Sequence, residues 1–231
     1  MSYSYIDENY AGIKERIAAA AARAGRDAGE ITLLAAVKSA DVGEINYLHN
    51  ALGVCDVGEN RVQQLTERYG ALDKDGLRVH FIGSLQTNKV KYIIDKVSLI
   101  HSLDSLRLAE EIDKQAKKRG LVMDVLVEIN SGSEESKGGV SPEEAYELCD
   151  AIERLEGIRL CGFMTMAPRC ETLEDYRPYF TATRRLCDEI WYERLGRKEA
   201  PILSMGMSES FEMAVECGAT MVRVGRGLFV K

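Results

Sequence analysis

Eight short apolar runs, separated by amphipathic segments, constrain the fold more than any other feature of this sequence. They span 31–38, 54–58, 78–83, 98–103, 123–130, 158–166, 202–207 and 220–225. Strand–helix alternation of this kind predicts a parallel sheet, because each return to the same end of the sheet needs a crossover. Eight such units can close into a (β/α)8 barrel, which typically takes about 250 residues. The chain has 231, so its loops must be lean. The expected architecture is α/β: a single TIM-type barrel domain over residues 1–231, with one extra helix before the first strand. Ile6, Tyr10, Ile13 and Ile17 mark that helix by their spacing, and it would plug the barrel floor or pack on its side. An open doubly wound sheet is the competing architecture. Its dinucleotide fingerprint is absent: the first strand-to-helix turn reads Lys38-Ser39-Ala40-Asp41-Val42-Gly43, not Gly-x-Gly-x-x-Gly.

Local signals place several helix ends. Ser141-Pro142-Glu143-Glu144 combines an N-cap serine, a proline in the first turn and a capping-box glutamate. Ala145, Leu148, Ile152 and Leu155 then share a face, with Gly157 as the expected stop. Asp104 is the expected cap of the helix carrying Leu106, Ala109, Ile112 and Ala116, which ends at Gly120. Pro178 places another helix start near Arg177.

Charge and composition exclude several function classes. A net charge of −7 argues against a general nucleic-acid binder. No apolar run approaches the ~20 residues of a membrane-spanning helix. The N-terminus lacks the basic and apolar regions of a signal peptide. The six cysteines form no Cys-x-x-Cys pair and sit among apolar residues, which predicts core thiols, no disulfides and a reducing, cytoplasmic setting. His49, His80 and His101 show no metal-ligand spacing, so no metal site is expected.

Polar residues gather where the predicted strands end, and in a barrel those ends share one mouth. Lys38 closes the first apolar run. A partly desolvated amine there can attack a carbonyl; the plainer reading is a snorkelling surface lysine. Gly206-Met207-Ser208 leads into an apparent helix beginning Glu209-Ser210-Phe211-Glu212. Its free N–H groups, the Ser208 hydroxyl, the backbone at Gly225 and Gly227, and the charges of Arg223 and Arg226 suit a phosphate. Ser208 as an N-cap, with turn-forming glycines, is the competing account. A phosphate cradle facing a lysine fits pyridoxal 5′-phosphate held as a Schiff base. Asn60 either bonds a ring substituent or caps a helix. His80 either contacts the ring or is a satisfied core histidine. Met164, Tyr176 and Tyr179 read as packing residues.

These residues lie in segments that resemble the pyridoxal phosphate homeostasis proteins, the YggS/PROSC group. The resemblance runs from about Ile13 to Phe229. It is carried by Ile31 to Ser39, Gly58-Glu59-Asn60-Arg61-Val62-Gln63, His80 to Lys89, Ser136-Lys137-Gly138-Gly139, Gly162-Phe163-Met164, Met205-Gly206-Met207-Ser208 and Met221-Val222-Arg223-Val224-Gly225. The chain departs from the family pattern at Val37, Ser210 and Arg226, and it ends at Val230-Lys231. The resemblance implies an alanine-racemase-like barrel with the cofactor on Lys38, and phosphate contacts from Ser208, Arg223, Gly225 and Arg226. Arg223 is equally a candidate for the pyridine nitrogen. It further implies a role in vitamin B6 and amino-acid homeostasis without catalytic residues. The cofactor is the expected partner, with apo-enzymes as possible recipients, and a monomer is expected. A second domain to complete a racemase site is not expected. The alternatives are a pyridoxal-phosphate-dependent racemase or decarboxylase, and a cofactor-free Schiff-base aldolase.

Overall fold

The computed structural model describes residues 3–132 and 138–231. Eight parallel strands close into a barrel in chain order: β1 (Thr32–Ala36), β2 (Asp56–Glu59), β3 (Arg78–Phe81), β4 (Leu99–Leu103), β5 (Met123–Ile129), β6 (Ile158–Thr165), β7 (Ile202–Ser204) and β8 (Met221–Val224). β8 pairs back onto β1, from Thr32 opposite Met221 to Ala35 opposite Val224. Seven of the apolar runs contain their strand, and β2 reaches one residue past its run, to Glu59. Val37 and Ile82 lie past the ends of their strands yet are buried, because the rim also packs under the covering loops.

The helices are α1 (Ser4–Arg23), α2 (Val42–Leu52), α3 (Val62–Arg68), α4 (Val90–Ile93), α5 (Leu106–Lys118), α6 (Pro142–Ile152), α7 (Arg177–Asp188), α8 (Phe211–Glu216) and α9 (Arg226–Phe229). α1 packs on the side of the barrel, not under it. Ile6, Ile13 and Ile17 are buried, while Arg16 and Arg23 pair with Glu212 and Glu216 of α8. Asn9 donates to the Leu228 and Val230 carbonyls and ties α9 to the same helix.

Two helix-end expectations change. Ser105, not Asp104, caps α5: its backbone is extended, and its hydroxyl accepts from the Leu108 N–H. Asp104 accepts from the Ser105 hydroxyl instead. α6 has the expected Ser141–Glu144 capping box but ends at Ile152, before Gly157. The Gly157 N–H donates to Asp113 of α5 at 2.7 Å, so this glycine ties a neighbouring helix to the start of β6.

Alternation along the strands sends every second residue into the barrel. Leu34, Ile82 and Met221 form one interior cluster, and Leu99, Leu126 and Met164 another. Between them the interior is polar, with Asp56, His80, His101, Ser204 and Arg223 all buried. Barrel interiors are ordinarily layers of branched apolar side chains, so this polar band calls for an account. None of the six cysteines is in a disulfide; Cys149 and Cys187 are buried and the other four are half-buried. Among the described residues, no helix is long and apolar enough to cross a membrane.

Candidate functional site

Lys38 sits two residues past β1, in a turn at the barrel mouth, and its side chain is exposed rather than partly desolvated. Neighbouring α3 holds that turn. Gln64 donates to the Lys38 carbonyl at 3.0 Å. Arg68 donates to the carbonyls of Ala40 and Val37, each at 3.0 Å. Arg68 is itself buried and ion-paired with Glu59 at the end of β2. Burial pushes the Glu59 carboxyl up and Arg68 opposes it. An Asp41–Glu44 capping box starts α2 and closes the far side of the turn. A helix-surface arginine carries no motif, so sequence reading passed over Arg68.

Beside Lys38 a cavity of about 140 Å3 is lined by Ser208, Ser210, Arg223, Gly225 and Arg226, among others. The Gly225 N–H donates to the Ser208 hydroxyl at 3.4 Å, which brings the loops after β7 and β8 together. A side chain at Gly225 would meet the Ala36 carbonyl at 2.8 Å, so only glycine lets this loop close on the end of β1. Arg223 projects inward from β8 and is buried. Burial lowers its pKa to about 10, with Glu128 opposing. Arg226 occupies the rim, paired with Glu209 at 2.7 Å.

The helix expected to begin at Glu209 begins at Phe211. The Met207 carbonyl accepts from both the Ser210 and Phe211 N–H groups, which winds residues 207–210 into a turn first. Ser208 is therefore not an N-cap, and Ser210 bonds the Met207 N–H through its hydroxyl. Gly227 lies inside α9, and a side chain there meets nothing closer than 3.4 Å. Tyr176 is buried and also lines the cavity, while Tyr179 packs against the core.

A second cavity of about 450 Å3 adjoins the first and shares Lys38, Asn60, Ile82 and Met166 with it. Asn60 Oδ1 is buried without a hydrogen-bond partner. A side chain at Gly83 would collide with the Asn60 carbonyl, so the loop after β3 lies directly on Asn60. Asn60 precedes α3 but does not cap it; that position is Arg61. Glu128, at the inward-facing end of β5, lines the same cavity. Burial and Asp104 raise its pKa to about 7 against the pull of Arg223. Its place among the apolar residues at the end of the run from Met123 to Ile129 was visible in sequence, but nothing there assigned it a role. In the Ser136-Lys137-Gly138-Gly139 segment, Ser136 and Lys137 lie outside the described residues, while Gly138 lines this cavity.

His80 is not at the mouth. It lines a separate cavity of about 640 Å3 at the opposite, N-terminal end of the strands, with Thr32, Asp56, Arg78 and Asp124. Its Nε2 bonds Asp56 at 2.9 Å, and its Nδ1 meets His101 Nε2 at 2.9 Å. Of its two readings, the satisfied core histidine matches this position. The period-two parity of β3 aims it inward, one layer below the mouth.

The mouth thus joins a primary amine, a serine hydroxyl, a buried guanidinium and an unpartnered amide oxygen around one opening. The family model described as "Alanine racemase, N-terminal domain" matches residues 9–231. A pyridoxal phosphate homeostasis protein of Aquifex aeolicus is 48% identical over 222 residues, 96% of each chain. The chain belongs to the pyridoxal phosphate homeostasis protein family. Among solved structures, a protein from Bifidobacterium adolescentis superposes with a TM-score of 0.90 at 35% identity, covering 98% of this chain and 95% of that one. PipY of Synechococcus elongatus PCC7942, a structure described as having PLP bound, superposes with a TM-score of 0.81 at 29% identity. It covers 94% of this chain and 99% of PipY. Lys38, Asn60, Ser208, Arg223 and Gly225 all line one cavity, and His80 stands apart from it.

Proposed function

We propose that this protein binds pyridoxal 5′-phosphate as a Schiff base on Lys38 and acts in vitamin B6 and amino-acid homeostasis without catalytic turnover. The observation that carries the reading is the convergence of Lys38, Ser208, Arg223 and Gly225 on a single cavity from β1, β7 and β8. The donor set fits the cofactor. Ser208 and the loop at Gly225 bind the phosphate, with Arg223 supplying positive charge at the wall. Asn60 Oδ1, buried and unpartnered, has the acceptor a ring hydroxyl needs. Arg68 and Gln64 fix the turn so that the Lys38 amine is presented at the opening. When bound, the cofactor supplies an aldehyde for the lysine and an electron sink for amines.

An exposed Lys38 suits exchange of the cofactor with apo-enzymes as recipients, and a monomer leaves the mouth open to them. Six cysteines outside any disulfide accord with a reducing, cytoplasmic setting. Borohydride reduction of the cofactor-loaded protein, followed by peptide mass mapping, tests the covalent link. The expected result is one pyridoxyl group on Lys38, and its complete loss in Lys38→Ala. An adduct surviving elsewhere in that variant overturns the assignment. Robust racemase or decarboxylase turnover by the purified protein overturns the non-catalytic role.

A further inference from the structure

The buried polar band inside the barrel is a continuous hydrogen-bonded chain. Arg223 donates through one terminal nitrogen to the Ser204 carbonyl at 2.7 Å and to its hydroxyl at 2.8 Å. Its other terminal nitrogen donates to the Thr165 carbonyl at 2.9 Å. The Ser204 hydroxyl meets His101 Nδ1 at 3.1 Å. His101 Nε2 meets His80 Nδ1 at 2.9 Å, and His80 Nε2 meets Asp56 at 2.9 Å. Arg78 closes the far end with two bonds to Asp56, at 2.8 and 2.6 Å. Side chains from β2, β3, β4, β7 and β8 thus link the floor to the wall of the mouth.

Donor and acceptor counting fixes the protons. His101 is fully buried, and burial, His80 and Arg223 all drive its pKa well below the usual value, so its ring is neutral. Asp56 is held as a carboxylate: burial works to raise it, but the bonds from His80 and Arg78 outweigh that and bring it down to about 2. When His80 carries a single proton, only one arrangement satisfies every contact. His80 donates from Nε2 to Asp56 and accepts at Nδ1. His101 donates from Nε2 and accepts at Nδ1. The Ser204 hydroxyl donates to His101 and accepts from Arg223. The other tautomer of either ring sets two lone pairs or two hydrogens face to face.

We propose that His101, acting through Ser204, is a positioning residue for Arg223: the chain anchored on Asp56 orients the Ser204 hydroxyl so that its lone pair holds the guanidinium against the cofactor cavity. The anchoring needs no cofactor. Its consequence for affinity rests on the function proposed above.

His101→Phe keeps the ring shape and removes both nitrogens. His101→Gln keeps one donor and one acceptor at similar separation. Core packing alone predicts that Phe is the milder change; positioning predicts the reverse. The first readout is hydrogen exchange of the Arg223 guanidinium, followed by nitrogen-15 NMR on the cofactor-free protein. Exchange accelerates about tenfold or more in His101→Phe and in the smaller Ser204→Ala change, and stays near wild type in His101→Gln. The second readout is affinity for pyridoxal 5′-phosphate, which weakens about tenfold or more in the first two variants and recovers in the third. The third is the ring tautomer of His101 in the wild type, with the proton on Nε2. Unchanged guanidinium exchange in both Ser204→Ala and His101→Phe, or a proton on Nδ1, overturns the proposal. A wild-type protein that binds no pyridoxal 5′-phosphate sinks the proposed function instead, and the exchange and tautomer results still decide the role of His101.

Discussion

The two ends of the barrel differ in a way that cavity size conceals. The floor holds the larger space, about 640 Å3 against about 140 and 450 Å3 at the mouth. Yet the charged side chains of the floor are matched. Arg78 grips Asp56, and Arg159 grips Asp124 through two bonds of 2.7 and 2.8 Å. At the mouth, Lys38 is exposed, Asn60 Oδ1 is buried without a partner, and Glu128 is desolvated beside Asp104. Groups left chemically incomplete, not volume, mark the end of a barrel that awaits a ligand.

The sharpest way to test the special character of the mouth is to undo its scaffold. Arg68→Met strips the cation from buried Glu59 and releases the Val37 and Ala40 carbonyls. A loss of about 3–5 kcal/mol is expected from thermal or urea unfolding. A change below about 1 kcal/mol would mean that the Lys38 turn is held without this pair.

Glu128 gives the next effect, and its sign is specific. Its pKa is raised in the fold, so the protonated acid favours the native state. That contribution is full below the unfolded value, near pH 4.3, and is lost as pH rises through about 7. Glu128→Gln therefore stabilises the protein above about pH 7, by up to about 3 kcal/mol, and flattens the decline in stability from about pH 5 to 8. Identical pH profiles for variant and wild type would remove Glu128 from the account of the mouth.

Smaller still is Ser208→Ala, expected to weaken pyridoxal 5′-phosphate binding by about 0.5–1.5 kcal/mol in a fluorescence titration. No loss would shift the anion cradle towards Arg223 and the backbone. Least of all is Arg159→Ala at the floor. Its exposed pair with Asp124 contributes at most about 1 kcal/mol, and cofactor affinity should be unchanged. Weakened binding in that variant would erase the contrast between the ends.

Much of this contrast was legible in the chain. Apolar runs and amphipathic spacing are local, and they marked eight strand–helix units and the α6 capping box. Strand-end position then grouped Lys38, Asn60, Ser208, Arg223 and Gly225. The sequence left His80 open between ring contact and core packing, because period two reports which face a residue takes and not its height in the barrel. The same logic overlooked His101, the third residue of β4, whose inward aim depends on the same parity. It had no means of pairing Arg68 with Glu59, nine residues apart on a helix and a strand.

By itself, then, the sequence determined the alternation, the parallel sheet it implies, and the chemistry gathered at the strand ends, since each follows from neighbours along the chain. Only the tertiary structure decided that Asp56, His80, His101, Ser204 and Arg223 form one chain, that α3 clamps the Lys38 turn, and that the larger cavity is the one whose charges are matched. Those contacts join five strands across a closed interior. They depend on register and closure, which no local spacing encodes.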